Sequence, residues 1–91
     1  MHLPDPEVVL EMGRCASELL DSEPFTTTVN DLSNYHLAAI VAAKPGEAGR
    51  EARDHHHLLH YALGQIVGEL QARVAAANEM QEIITQKEQD K

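Results

Sequence analysis

Residues 50–84, REARDHHHLLHYALGQIVGELQARVAAANEMQEII, decide the fold. The stretch has no proline, and one series of positions runs through it: Ala52, His56, Leu59, Leu63, Ile66, Leu70, Arg73, Ala77, Met80 and Ile84. Successive members are separated alternately by 4 and 3 residues. That alternation keeps a narrow stripe on one side of a helix, the pattern of a coiled-coil seam. It predicts a single long helix over about 50–88, with Leu59, Leu63, Ile66, Leu70, Met80 and Ile84 as its interface residues. Only His56 and Arg73 interrupt the apolar series. Ala62, Val67, Val74 and Ile83 fall off the seam and predict a second apolar strip, more than one neighbouring helix can cover.

Two shorter helices are expected ahead of this one. Asp5 is an N-cap residue type, Pro6 suits the first helical position, and Glu7 complements the helix dipole there. From that start Val8, Met12, Cys15 and Leu19 recur at helical spacing, widened by Val9, Ala16 and Leu20. A helix over about 6–20 follows. Pro24 disfavours helical geometry at Glu23 and fits the first turn of a new helix, so Asp21-Ser22-Glu23-Pro24 reads as either a kink or a short turn. The second helix, about 24–43, carries Phe25, Val29, Leu32, His36, Ala39, Ile40 and Ala43. Thr26-Thr27-Thr28 is a weak helix start, with strand as its alternative. Lys44-Pro45-Gly46-Glu47-Ala48-Gly49 is the interhelical loop, with breakers in place.

Lengths then suggest an arrangement. A helix of roughly 38 residues spans about 57 Å, and the two shorter helices together come to about 36 residues. The expected fold is all-α: an elongated antiparallel helical hairpin with helices 6–20 and 24–43 packed along helix 50–88. The whole of 1–91 is expected as one domain, fraying at 1–5 and 88–91.

Composition restricts the function. A chain of 91 residues has one cysteine, Cys15, so no internal disulfide can form. At a helical core spacing this thiol is expected as a small buried hydrophobe. Aromatic side chains make up only 3% of the chain, which leaves Ala, Leu, Val and Ile to fill a seam rather than a thick core. Fifteen acids against seven Lys and Arg give a net charge of -8. The bases are scattered singly, without the concentrated basic face that phosphate binding requires. Nucleic acid is disfavoured as a partner. The first six residues lack a basic and apolar leader, and no apolar run approaches a bilayer span. A soluble protein without a secretion signal is expected.

One cluster invites a chemical reading. His55-His56-His57 and His60 fall within six residues, and His56 and His60 lie one turn apart on a helix face. Imidazoles at that spacing can chelate a transition metal, and His36 could face them from the second helix, so His56, His60 and His36 are the metal candidates. No cysteine or His-Glu-x-x-His motif completes a ligand set. Seam or solvated histidines remain the simpler reading, and a pH-sensitive contact lies between the two. No nucleophile sits in a catalytic context and no Gly-rich loop precedes a helix, so no enzyme activity and no cofactor are expected. Gly64 and Gly68 form a small-x-x-x-small pair, which predicts a close helix approach.

The stretch from Glu18 to Ala77 resembles the small helical-hairpin proteins of tailed-bacteriophage structural gene modules. Leu19-Leu20-Asp21-Ser22-Glu23-Pro24-Phe25 looks like their leucine-leucine, acidic, proline, large-apolar opening. A central helix, a proline-containing loop at Ala43-Lys44-Pro45 and a charged, leucine-rich helix over Arg50–Arg73 follow in the same order. The histidine cluster and the threonine run depart from that plan. The resemblance implies a virion or virion-assembly component, head-associated or portal-proximal. It would act through coiled-coil-like contacts with its own copies or other phage structural proteins, in the particle or the infected cytoplasm. A second likeness is to phage anti-defence proteins, helical oligomers that sequester cyclic nucleotides. Arg50, Arg53, Tyr61 and the histidines are the side chains it would need.

Overall fold

A computed structural model describes residues 5–90 of the chain. It contains helices α1 (Pro6–Asp21), α2 (Glu23–Ala42) and α3 (Arg50–Gln89), with a single 3-10 turn at Glu47–Gly49 before α3. No strand occurs among the described residues. The fold is all-α, with α1 and α2 both packed on the long C-terminal helix.

The helix ends form for local reasons. The Asp5 carboxylate accepts the Glu7 backbone N–H at 2.9 Å, and Pro6 occupies a position whose missing N–H costs nothing. α1 stops at Ser22, whose backbone is extended and whose N–H donates to the Leu19 carbonyl at 3.0 Å. The break before Pro24 is therefore one non-helical residue wide. The threonine run is helical rather than extended: the Thr26 and Thr28 hydroxyls donate to the Glu23 and Pro24 carbonyls at 3.3 and 2.7 Å. This back-bonding occupies hydroxyls that would otherwise compete with the helix backbone.

By its contacts the chain forms two compact units. One comprises the described residues of Met1–Ser22 and Gly68–Lys91, the other Glu23–Val67. In the first, α1 meets the second half of α3 at Gly13, which is buried. A Cβ built on Gly13 would lie 2.2 Å from the Ala77 Cβ and 3.0 Å from the Arg73 carbonyl oxygen, so only glycine allows this approach. Ala16 is 2% exposed and Leu70 9% exposed, and they are the only buried hydrophobic residues described.

The face of α1 that packs keeps Val9, Ala16 and Leu20 from the margin of the expected stripe and is turned one residue from its central line. Val9, Leu10, Gly13, Ala16, Ser17 and Leu20 are covered or half-covered, while Val8, Met12, Cys15 and Leu19 are exposed. Small residues set the line of contact because they let the backbones approach, and the larger side chains are left flanking it. Cys15, expected as a buried hydrophobe, is exposed.

In the second unit α2 and the first half of α3 form an antiparallel hairpin closed by the loop 43–49. Gly46 has φ 73°, a conformation that side chains rarely adopt. Gly49 is buried so tightly that a Cβ would lie 1.7 Å from the Lys44 carbonyl oxygen. Arg53 clamps this turn, its guanidinium donating to the Lys44 carbonyl and, at 2.8 Å, to the Gly46 carbonyl. Phe25, Val29, His36, Ala39, Ile40 and Ala43 of the expected α2 face are covered or half-covered, but Leu32 is 43% exposed and Ser33 takes its place.

The fraying expected at 1–5 and 88–91 falls partly outside the described residues. Within them Asp5 caps α1 and α3 continues through Gln89.

Candidate interaction surface

Coverage varies along the expected seam of α3. Leu59, Leu63, Met80 and Ile84 are half-covered and Leu70 is buried. Ile66 is 52% exposed, with Val67 half-covered in its place. Likewise Ala52 is exposed and Arg53 half-covered. The seam is thus partly covered within the chain itself, and the fully exposed side chains are the surface open to other molecules.

That surface carries large apolar side chains on all three helices. Val8, Met12 and Leu19 of α1, Leu32, Tyr35, Leu37 and Val41 of α2, and Leu58, Tyr61, Ile66 and Ile83 of α3 are all exposed, Val41 to 85%. Monomeric proteins do expose scattered apolar residues, but contiguous sets mark interaction sites. The contiguous set here is on α1. Val8, Met12, Cys15 and Leu19 line one side of an open groove of about 540 Å³, and Leu70 and Arg73 of α3 line the other. Everything lining this groove belongs to the unit built from α1 and the second half of α3.

Acid borders the α1 side. Asp5, Glu7 and Glu11 line the groove. Arg14, the one base of α1, is held by both Glu11 and Glu18. The Arg14 hydrogen bond and charge hold the Glu11 carboxyl below its ordinary range, and the same contacts, Glu11 before Glu18, raise the Arg14 guanidinium. The Cys15 thiol donates to Glu11 Oε1 at 3.6 Å. Arg73 pairs with Glu69 at 3.3 Å.

The histidine cluster lies in the other unit. His36 and His56 meet across α2 and α3, with their Nδ1 atoms 2.9 Å apart. One ring must donate and the other accept, so the neutral pair holds two different tautomers. Tyr35 stands edge-on to both rings, at centroid distances of 5.3 and 5.9 Å, and His55 stands edge-on to His56 at 5.2 Å. His36 is buried, and burial first, then the neighbouring His56, His55 and His60, lowers its pKa from the ordinary histidine value. His60 is half-covered and His57 exposed. Of the metal candidates, His36 and His56 are brought together. No three His, Cys, Asp or Glu side chains gather in a metal-holding group among the described residues.

The remaining sequence candidates are dispersed. Arg53 is committed to the loop carbonyls, Arg50 contacts Glu47 and Asp54 at 3.4 and 3.8 Å, and Tyr61 is 65% exposed. Gly64 and Gly68, read as a close-approach pair, have open space where their Cβ atoms would be. The glycine that does the close packing is Gly13, which hydrophobic periodicity does not register. No described helix is long and apolar enough to cross a membrane. No protein family, curated protein or solved structure matches the chain.

Proposed function

We propose that this chain is a non-enzymatic interaction protein whose helices dock on other protein chains, as a component of a bacteriophage particle or of its assembly. One observation supports docking above all: among the described residues only Ala16 and Leu70 are buried hydrophobic residues, while eleven large apolar side chains are exposed. Burying a Val, Leu or Ile side chain contributes about 1.5–3 kcal/mol. A chain of this size that forgoes so much of that stabilisation within its own fold gains it on binding. The concave surface of the α1 unit is lined by valine, methionine and leucine, a docking chemistry.

The phage setting rests on the resemblance carried by Leu19–Phe25, Ala43-Lys44-Pro45 and the helix over Arg50–Arg73. Homologous copies or larger particle proteins would then cover the open faces. The test is to purify particles from cells expressing the tagged chain and identify their proteins by mass spectrometry. The sedimentation velocity of the free chain is measured alongside. Stoichiometric presence in particles or intermediates is the expected result. A chain that sediments as a stable monomer and joins no particle or intermediate would falsify the proposal.

A further inference from the structure

The exposed stripe of α1 has a geometry of its own. Val8, Met12, Cys15 and Leu19 recur at 4, 3 and 4 residues, the spacing with which one helix receives another. Because α1 packs on α3 through Gly13 and Ala16, this stripe remains available along the groove it shares with Leu70 and Arg73. A groove about 540 Å³ in volume and open along its length suits the apolar edge of a helix.

Charge selects among the helices that could lie there. Glu11 and Glu18 stand two turns apart along one border of the stripe, and they share the single cation Arg14. The Glu7 side chain meets no cation among the described residues, and Asp5 lies at the same end. On the opposite wall Arg73 already pairs with Glu69. The groove therefore keeps excess negative charge on the border that a visiting helix would face.

A second copy of α1 fits this border badly. Laid antiparallel with Val8 opposite Leu19, it would set Glu11 of one copy against Glu18 of the other, with their shared arginines already occupied. Like charges directly opposed across a helix pair disfavour the association, and the chain as a whole carries -8. A helix whose apolar edge is flanked by Lys or Arg meets the opposite situation. Its cations reach Glu7, Glu11 and Glu18 while its leucines cover Met12 and Leu19, and the attraction also speeds encounter.

We infer that the α1 groove, lined by Val8, Met12, Cys15 and Leu19 and bordered by Glu7, Glu11 and Glu18, receives a cationic amphipathic helix of another protein. This inference rests on the interaction reading above and names the partner's chemistry at one of its surfaces.

The experiment uses the full chain and two synthetic helical peptides of one length. Both carry leucine at 4-3 spacing; one has lysine at the flanking positions and the other glutamate. Binding is read by anisotropy of a labelled peptide, and groove occupancy by the rate at which a thiol reagent modifies Cys15, the only cysteine. The lysine peptide is expected to bind on the order of tenfold more tightly than its glutamate twin at low salt, and less tightly as salt rises. At saturation it should slow Cys15 modification at least about fivefold, a measure of burial against reagent. Val8→Asp and Leu19→Asp replace exposed residues and should abolish both effects, with helicity checked by circular dichroism. Val41→Asp adds the same charge on α2 and should abolish neither.

Equal affinities for the two peptides would overturn the inference. So would an unprotected Cys15 under saturating lysine peptide, or loss of binding in Val41→Asp as well. Protection of Cys15 that grows with the concentration of the chain alone would make a second copy the occupant and overturn it too. Presence of the chain in particles while Cys15 stays open to reagent under the lysine peptide would defeat the cationic helix alone. Failure to join any assembly would defeat the wider reading.

Discussion

Gly13 and Ala77 bring α1 and α3 into contact so close that a Cβ at residue 13 would lie 2.2 Å from the Ala77 Cβ. Overlap of that size forces one helix to move, at about 1–3 kcal/mol. Replacing a helical glycine by alanine otherwise gains roughly 1 kcal/mol of helix propensity. At Gly13 the overlap should win, so Gly13→Ala lowers the thermal midpoint and Gly13→Val lowers it further. At Gly64 and Gly68 there is open space, and only the propensity term operates. Gly64→Ala and Gly68→Ala should each raise stability by up to about 1 kcal/mol. Thermal or urea denaturation followed by circular dichroism separates the two cases, and opposite signs at residues 13 and 64 are the decisive result.

The Arg53 clamp supplies a second expectation. Its guanidinium bonds two loop carbonyls, of Lys44 and Gly46, the second of which also accepts the Gly49 backbone N–H at 3.3 Å. Arg53→Ala should destabilise the chain by about 1–2 kcal/mol, a figure reduced for partial exposure. Arg53→Lys should recover only part of that, because an ammonium cannot reproduce the planar two-pronged geometry. Amide hydrogen exchange over residues 43–49 should accelerate in both variants. Unchanged protection there would deny the clamp.

Acid should weaken the hairpin of α2 and α3 through His36. Its folded pKa lies below the ordinary value of about 6.5 because of burial and then of His56, His55 and His60. The unfolded chain therefore binds this proton first as pH falls. Stability is fully present above about 6.5 and declines through the window between the unfolded and folded values. The wild-type thermal midpoint should fall between pH 7.5 and 5 more steeply than that of His36→Gln. The two profiles running parallel would assign the pH dependence to other groups.

Cys15 should behave as a surface thiol. It is exposed on α1, beside Glu11 and Arg14. A thiol reagent should modify it stoichiometrically in the native state at a rate close to that in denaturant. A lag that disappears only on unfolding would place it in a core after all.

The helix boundaries were legible because the signals are local. Asp5-Pro6 begins α1, Pro24 falls in the first turn of α2, and Pro45-Gly46 separates α2 from α3; each acts on its own backbone. The meeting of His36 with His56 was also legible, since both fell on expected seams. The rotation of α1 was not. Counting apolar residues centres the stripe on Val8, Met12, Cys15 and Leu19 with Ala16 at its margin, whereas the contact runs along Gly13 and Ala16, whose merit is the bulk they lack. Arg53 was unreadable for a related reason: its partners are backbone carbonyls, placed only once the loop has closed.

Phase can also be tested on α3, where the expected seam and the packed face part company at Ala52 and at Ile66. Leu70 lies on both and is 9% exposed, while Ile66 lies on the expected seam only and is 52% exposed. Truncating a buried leucine removes its transfer free energy and leaves a cavity, costing 2–5 kcal/mol in well-packed cores, with roughly 2–3 kcal/mol expected beside an open groove. Truncating a half-exposed isoleucine should cost about 1 kcal/mol or less. Leu70→Ala should therefore lose at least twice the stability that Ile66→Ala loses in urea denaturation of the free chain. Equal losses would mean that Ile66 is buried as deeply as Leu70, by a neighbour or by a second copy. Repeating the pair at tenfold lower concentration then distinguishes these, because only burial by a second copy weakens on dilution.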